Sequence, residues 1–236
     1  MKKFQIALLC LITGMTTLST GAQTVDEIIG KYITALGGKE KLLSLNTVKM
    51  TGSLNAMGNE VGIVITRKHL VGSRADITIQ ETENYQIVTP EKGWAFMPIQ
   101  GMSAPTEMPE QQFKSLQTQL DIQSPFLNYK EKGNAVEFLG TEKSDSIVCN
   151  KIKLVYRNGI TTVFFISTSG NRIVKTTGKR TINGAEMDIE TSYSNYKQNA
   201  DGYWFAYSIS SNIQGDTNLD RIETNVAVED NIFKVN

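Results

Sequence analysis

His69 is the only imidazole in this chain of 236 residues, and it stands beside Arg67 and Lys68 in a polar stretch. The expectation is a solvated turn histidine rather than a base aimed at a substrate. No G-x-S-x-G elbow, H-E-x-x-H helix or paired-cysteine metal spacing occurs. Two acidic pairs, Glu81/Glu83 and Asp188/Glu190, put both carboxylates on one face wherever the chain is extended. Glycoside hydrolysis needs two carboxylates roughly 5–9 Å apart across a sugar, a spacing that any acidic strand offers, so a solvated outer face is the plainer reading. No glycine loop opens a helix after a strand, which leaves phosphate cradling unsupported. The chain has 24 Lys+Arg against 24 Asp+Glu, so it lacks the basic footprint that nucleic acid requires. These residues imply no catalytic set, no metal and no cofactor.

Apolar side chains in unusual places carry more information. Trp94, Phe96, Met97, Met102 and Met108 crowd one stretch, and methionine suits surfaces that accept varied apolar ligands. Val163-Phe164-Phe165-Ile166 is apolar on both faces of an extended segment. Either one face lines a cavity, or helices cover both sides.

The elements that would position these residues are well signalled. Residues 1–22 read as a secretory signal peptide: Lys2 and Lys3, an apolar stretch over 4–12, then Thr20-Gly21-Ala22 before the cut. That stretch is too short to span a bilayer, which takes about 20 apolar residues. Cys10 follows Leu9 inside it, which does not fit a lipid-attachment cysteine. Cleavage removes two lysines and no acid, leaving 22 basic against 24 acidic residues, a net charge of −2. It also leaves Cys149 alone beside Ile147 and Val148, expected to be a buried, inert thiol with no disulfide partner.

Residues 23–236 read as one domain. Val25, Ile28, Ile29, Tyr32, Ile33 and Leu36 form a helical stripe, opened by a Thr24/Glu27 capping box and closed by Gly37. A short helix with Leu42 and Leu43 inward follows over 39–45. The period then changes to two, as in Val48/Met50 and Val61/Ile63/Ile65. One helix interrupts the strands, with Pro109 at its start and Phe113, Leu116 and Leu120 on one side. Strands resume over 135–141, 146–157, 160–167, 172–181, 187–196, 203–212 and 219–228, joined by Asn158-Gly159, Asn183-Gly184 and Asp201-Gly202, dipeptides suited to type I′ turns. About a dozen antiparallel strands must curl, since each twists by roughly 20–25°. The expected fold is mainly β: a single curled antiparallel sheet forming an open half-barrel, with helices on its concave face as a lid.

Several short segments carry a resemblance. Ala35-Leu36-Gly37-Gly38-Lys39-Glu40-Lys41-Leu42 looks like an amino-terminal signature, and Ile65-Thr66-Arg67 like a basic strand end. Val88-Thr89-Pro90-Glu91-Lys92-Gly93-Trp94-Ala95-Phe96-Met97-Pro98 resembles one characteristic hairpin, and Tyr193-Ser194-Asn195-Tyr196 with Asp201-Gly202-Tyr203-Trp204 resembles another. Together they resemble the LolA/LolB-like lipoprotein-sorting family, in its Bacteroidetes-type branch. Lys68 and Ala206 stand where that family usually has proline. The resemblance implies an open β-barrel with a helical lid over an apolar cavity. It implies a periplasmic, non-enzymatic carrier, working as a monomer and without cofactor. Its partners would be an acylated lipoprotein or lipid, an inner-membrane donor and an outer-membrane acceptor. Trp94, Phe96, Met97, Phe113, Leu116, Leu120, Phe165 and Trp204 are the expected cavity residues, and Arg67 the expected lid latch. An RseB-like lipid sensor of the same fold is the alternative, and a secreted envelope hydrolase stands further behind.

Overall fold

A computed structural model describes residues 24–56, 59–182 and 185–235. The expected signal segment, residues 57–58 and the expected Asn183-Gly184 turn lie outside them.

The chain opens with α1 (Val25–Ala35), and the expected capping box is formed: Glu27 N–H donates to Thr24 Oγ1 at 3.2 Å and Thr24 N–H to Glu27 Oε2 at 3.2 Å. Gly37 has φ +116°, a conformation that side chains rarely adopt, and the helix ends there. In α2 (Lys39–Leu43) Leu42 is buried, but Leu43 is 42% exposed. A five-residue helix on a curved sheet buries one side only, which corrects the inward placement of Leu43.

Thirteen strands follow in one antiparallel sheet: β1 (Thr47–Ala56), β2 (Asn59–Lys68), β3 (Gly72–Ile79), β4 (Thr82–Val88), β5 (Gly93–Phe96), β6 (Thr106–Glu107), β7 (Ala135–Ser144), β8 (Ile147–Val155), β9 (Thr161–Ser167), β10 (Ile173–Ile182), β11 (Ala185–Gln198), β12 (Trp204–Ser211) and β13 (Gly215–Thr224). Their spatial order is β6-β5-β4-β3-β2-β1-β13-β12-β11-β10-β9-β8-β7. The chain therefore starts in the middle of the sheet and meanders out to one edge. It then crosses to the other edge and meanders back until β13 pairs with β1. The crossover holds α3 (Glu110–Gln117) and the segment 118–134.

That topology forces the curl to be visible. β4 and β10 stand seven places apart in the order, about 34 Å on a flat sheet at ~4.8 Å per strand. Yet α3, eight residues and about 12 Å long, touches both. The sheet bends round until its two wings face each other, and the crossover spans the gap.

Two irregularities shape the middle. At Gly52 the β1/β13 register shifts, and a Cβ there would run into the backbone of Asn218 and Leu219. Glycine is required by that close approach. β12 pairs with β13 only through Ser208–Ser211, and its earlier residues part from β13. Asn199 spans the breach, donating from Nδ2 to the Ile222 carbonyl at 3.2 Å and to Thr224 Oγ1 at 3.0 Å.

The hairpins correct one expectation. At Asn158-Gly159 and Asp201-Gly202 only the glycine has positive φ, +86° and +79°. Each loop has three residues: Tyr156 N–H meets Ile160 O, and Asn199 N–H meets Tyr203 O. This is a type I turn with a glycine bulge rather than type I′. A turn with two positive φ values does occur at Gln80 and Glu81, joining β3 to β4. Glu81 thus belongs to a turn and does not pair with Glu83 on a strand.

The core lies on the concave side. α1 gives Ile28, Ile29, Tyr32 and Ile33 to a cluster with Phe126, Leu127, Ile152, Leu154, Phe164 and Ile166. Cys149 is fully buried and burial raises its pKa, as expected of an inert thiol.

Candidate functional site

The crossover is tied to both wings. Phe113 and Leu116 of α3 rest on Val88, Ala95, Met108 and Leu120. Gly93 makes room for them, because a Cβ there would meet Met108 and Phe113. Gln117 Nε2 donates to the Pro90 carbonyl at 2.7 Å on one wing. Asn158 Nδ2, in the β8–β9 turn of the other wing, donates to Lys114 O at 2.9 Å and Gln117 Oε1 at 3.0 Å. None of the residues of α3 is buried, so its hold on the sheet is slight.

Beyond α3 the chain turns inward through the 3-10 segment Thr118–Leu120. Gln123 Nε2 donates to the carbonyls of Leu43 and Leu45, both at 3.0 Å, and so satisfies the end of α2. Between this segment, α1, α2 and the sheet lies a cavity of about 280 Å³. Leu36, Leu42, Leu45, Val48, Met50, Ile209 and Leu219 provide aliphatic wall, and Tyr32, Tyr193, Tyr196, Trp204 and Phe205 provide rings. The tyrosine hydroxyls mostly point away to partners: Tyr196 to the Ile173 carbonyl at 2.8 Å, and Tyr203 to Ser44 Oγ at 2.8 Å. Burial raises the Tyr32 phenol to about 12, and it stays protonated. The rings thus add apolar surface to the cavity, and the Tyr196 and Tyr203 hydroxyls are satisfied by protein partners.

Arg67, Gln119, Asp121, Gln123 and Ser124 bring polar groups to this cavity. Arg67 donates from Nη2 to Gln119 Oε1 at 2.5 Å, with a longer Nε contact to Ser73 Oγ at 3.4 Å. Burial pulls its pKa down to about 10, so it remains charged at neutral pH. Asp121 is held by Lys132 Nζ at 2.6 Å. His69, expected in solvent, instead has a side chain only 19% exposed, with Nδ1 3.8 Å from Asp121 Oδ1. Its backbone N–H bonds to Asn46 O, and Leu70 N–H bonds to Leu120 O, which draws the turn under the crossover.

Of the expected cavity residues, Trp204 lines the cavity, as does Arg67. Phe113, Leu116 and Leu120 form the seat of α3 beside it. Trp94, Phe96, Met97 and Phe165 do not line it. Trp94 pairs with Ile87 and, through it, Arg74, while Phe96 pairs with Tyr85 and Asp76. This row faces away from Val88 and Ala95, because side chains alternate along a strand. The tail segment Asp230–Phe233 crosses that outer face, with Arg74 Nη1 donating to the Ile232 carbonyl at 3.2 Å. Met97 caps the 3-10 turn Pro98–Gln100. Phe165 also points outward, under Lys151 and Lys175, whose Nζ atoms stand 5.4 and 4.7 Å from its ring centroid. On this outer side lysine stems cover Phe165, while Val163 on the same face borders an open depression.

Sequence reasoning missed Tyr193, Tyr196, Met50, Ile209 and Leu219 as lining residues. Tyr193 and Tyr196, three apart on a strand, cannot share a face unless the strand breaks its alternation. Asn195 between them has φ +53° and does so. The Tyr-Ser-Asn-Tyr run, with asparagine tolerant of that conformation, was the available signal.

A larger and more open depression of about 740 Å³ lies over β9–β11 beside Gln111. Charged and hydroxyl groups, among them the Lys179–Glu186 ion pair, line it together with Ile160, Val163 and Ile189.

The architecture is a single curled, open antiparallel sheet whose wings are bridged by α3, and the fold is LolA-like. A LolA superfamily protein from Nitrosomonas europaea shares it at 15% identity and a TM-score of 0.57, over 90% of this chain and 98% of that one. A putative outer membrane lipoprotein-sorting protein domain from Vibrio parahaemolyticus shares it at 14% identity and 0.55, over 88% and 94%. A DUF1329 family protein from Desulfovibrio piger does so at 11% and 0.57, over 90% and 98%. At these identities the likeness is one of fold. No family model matches the sequence, and no curated protein matches it.

Proposed function

We propose that this protein is an exported carrier that takes acyl chains of lipoproteins or lipids into the cavity beside α3. One observation carries the reading: a mainly apolar, ring-lined cavity of about 280 Å³ lies between the curled sheet, α1, α2 and the segment 119–124 that follows α3, and α3 itself buries none of its residues. In this reading α3 is the lid and Arg67, through Gln119, its latch. Residues 1–22 direct the chain to the periplasm, where it collects cargo at the inner membrane and delivers it to the outer membrane as a monomer. Binding, not catalysis, is the activity.

Magnitudes support a carrier. A sixteen-carbon chain gains about 0.8 kcal/mol per buried CH₂, on the order of 10 kcal/mol in total. The cavity is just below the roughly 300–1,000 Å³ typical of ligand sites, so a full chain enters only if α3 lifts. The weak seat of α3 permits that. The test uses a neutral dansyl-tagged fatty amide. The parent protein binds it, and Ile209→Trp, which fills the cavity with a ring, weakens binding about tenfold or more while the circular dichroism is unchanged. Equal binding by both proteins contradicts the reading.

A further inference from the structure

Arg172 ends the β9–β10 turn, and its guanidinium carbon stands 3.8 Å from the ring centroid of Trp204 and 5.5 Å from that of Tyr196. Both rings line the cavity. Other cations around the site have oxygen partners: Lys41 has the Asp201 carbonyl at 2.6 Å, Lys132 has Asp121 and Lys175 has Glu190. Among the described residues the Arg172 side chain has neither an ion pair nor a hydrogen bond, and its Nε is sealed in without a partner. The residue as a whole is half-buried. A guanidinium lying on an indole face keeps its in-plane N–H groups at its edge. With Nε covered, the terminal Nη groups are the free donors. Such a fork matches the paired oxygens of a carboxylate or phosphate. The described residues give those Nη groups no acceptor, and an anionic ligand would supply one.

We infer that the cavity takes an amphiphile whose anionic oxygens, carboxylate or phosphate, are bound by Arg172 at the Trp204 and Tyr196 side; this rests on the acyl-binding reading above. The apolar tail lies among the aliphatic and ring walls, and the head stays at the edge where Arg172 meets solvent. Trp204 serves twice, as wall for the tail and as platform that orients the guanidinium.

Two matched pairs test it. Parinaric acid and its methyl ester share a tail and differ in the carboxylate; palmitoyl glycerol phosphate and palmitoyl glycerol differ in the phosphate. The expected result is that at least one anionic member binds about tenfold tighter than its neutral counterpart. Preference in only one pair names the head group. Arg172→Gln brings the preferred anion down to its neutral counterpart and leaves the neutral ligand unchanged, which also controls for folding. If that variant loses its sheet circular dichroism, the matched pairs on the parent decide alone. No preference in either pair, or equal weakening of both members by Arg172→Gln, overturns the inference while the acyl-binding reading stands. Failure of the parent to bind any of the four overturns both.

Discussion

Arg67 and His69 are two residues apart and meet the crossover in different ways. Arg67 is a buried charge held by amide and hydroxyl oxygens at Gln119 and Ser73. A charge placed so adds little to stability, and an apolar replacement of similar length is often neutral or better. Arg67→Met is therefore expected to leave the unfolding free energy within about 1 kcal/mol of the parent, while amide exchange across α3 speeds up severalfold. Unchanged exchange there would deny Arg67 a part in holding α3. His69 acts through pH. Burial is the first cause of its lowered pKa, opposed by Asp121 and reinforced by Lys132. The folded-state value lies below the unperturbed 6.5, so between the two the unfolded chain binds more protons. Stability is thus full above pH 6.5 and falls as the pH drops toward the folded-state pKa. Removing the imidazole with His69→Gln should flatten that loss, read as thermal midpoints between pH 7.5 and 5. A parallel acid loss in variant and parent would show that His69 does not contribute. The sequence placed this histidine in solvent because Arg67 and Lys68 flank it. Only the backbone bonds from His69 to Asn46 and from Leu70 to Leu120 reveal that its turn is tucked under the crossover.

At the scale of elements, the proposed lid role rests on how α3 is seated. Leu116 joins Phe113 on the Val88, Ala95 and Met108 patch. A carboxylate at Leu116 would carry a desolvation cost into that patch, and the half-buried leucine contributes part of what a fully buried one is worth, about 1.5–3 kcal/mol. Leu116→Glu should lift α3 and weaken acyl-probe binding about tenfold, with the β circular dichroism intact. Lys114→Gln, which breaks only the exposed pair with Glu110, should bind like the parent. Equal binding by Leu116→Glu would mean that seating α3 is irrelevant to the ligand. The helices were legible because their signals are local: the Thr24 and Glu27 cap, the α1 stripe and the Phe113/Leu116 spacing all lie within a few residues. The hairpin geometry was less so, since Asn-Gly and Asp-Gly fit both type I′ and bulged type I turns. Trp94, Phe96 and Phe165 were misread for a related reason. Large rings mark burial but not which face is buried, and here the tail Asp230–Phe233 and the stems of Lys151 and Lys175 cover an outer face that no local pattern announces.

At the scale of the whole molecule, the helix that interrupts the strands is the link between two opposite sheet edges. Periodicity shows an interruption but not that β7 resumes at the far side, because pairing of β1 with β13 is a contact between residues some 170 positions apart, such as Val48 and Thr224. Once that pairing is known, the curl, the crossing of the mouth and the enclosed space follow together. The parting of β12 from β13 beyond Ser208–Ser211 then explains why the space lies where Trp204, Phe205 and Leu219 meet. The central claim is that acyl chains enter this space and not the outer aromatic face. A palmitoyl chain bearing a diazirine near its end, photolysed with the protein and mapped by peptide mass spectrometry, tests it directly. The account predicts labelling at Met50, Tyr193, Ile209 and Leu219, lost when unlabelled palmitoyl lipid competes. Labelling confined to Trp94, Phe96 and Phe165, or labelling that competitor does not displace, would contradict it.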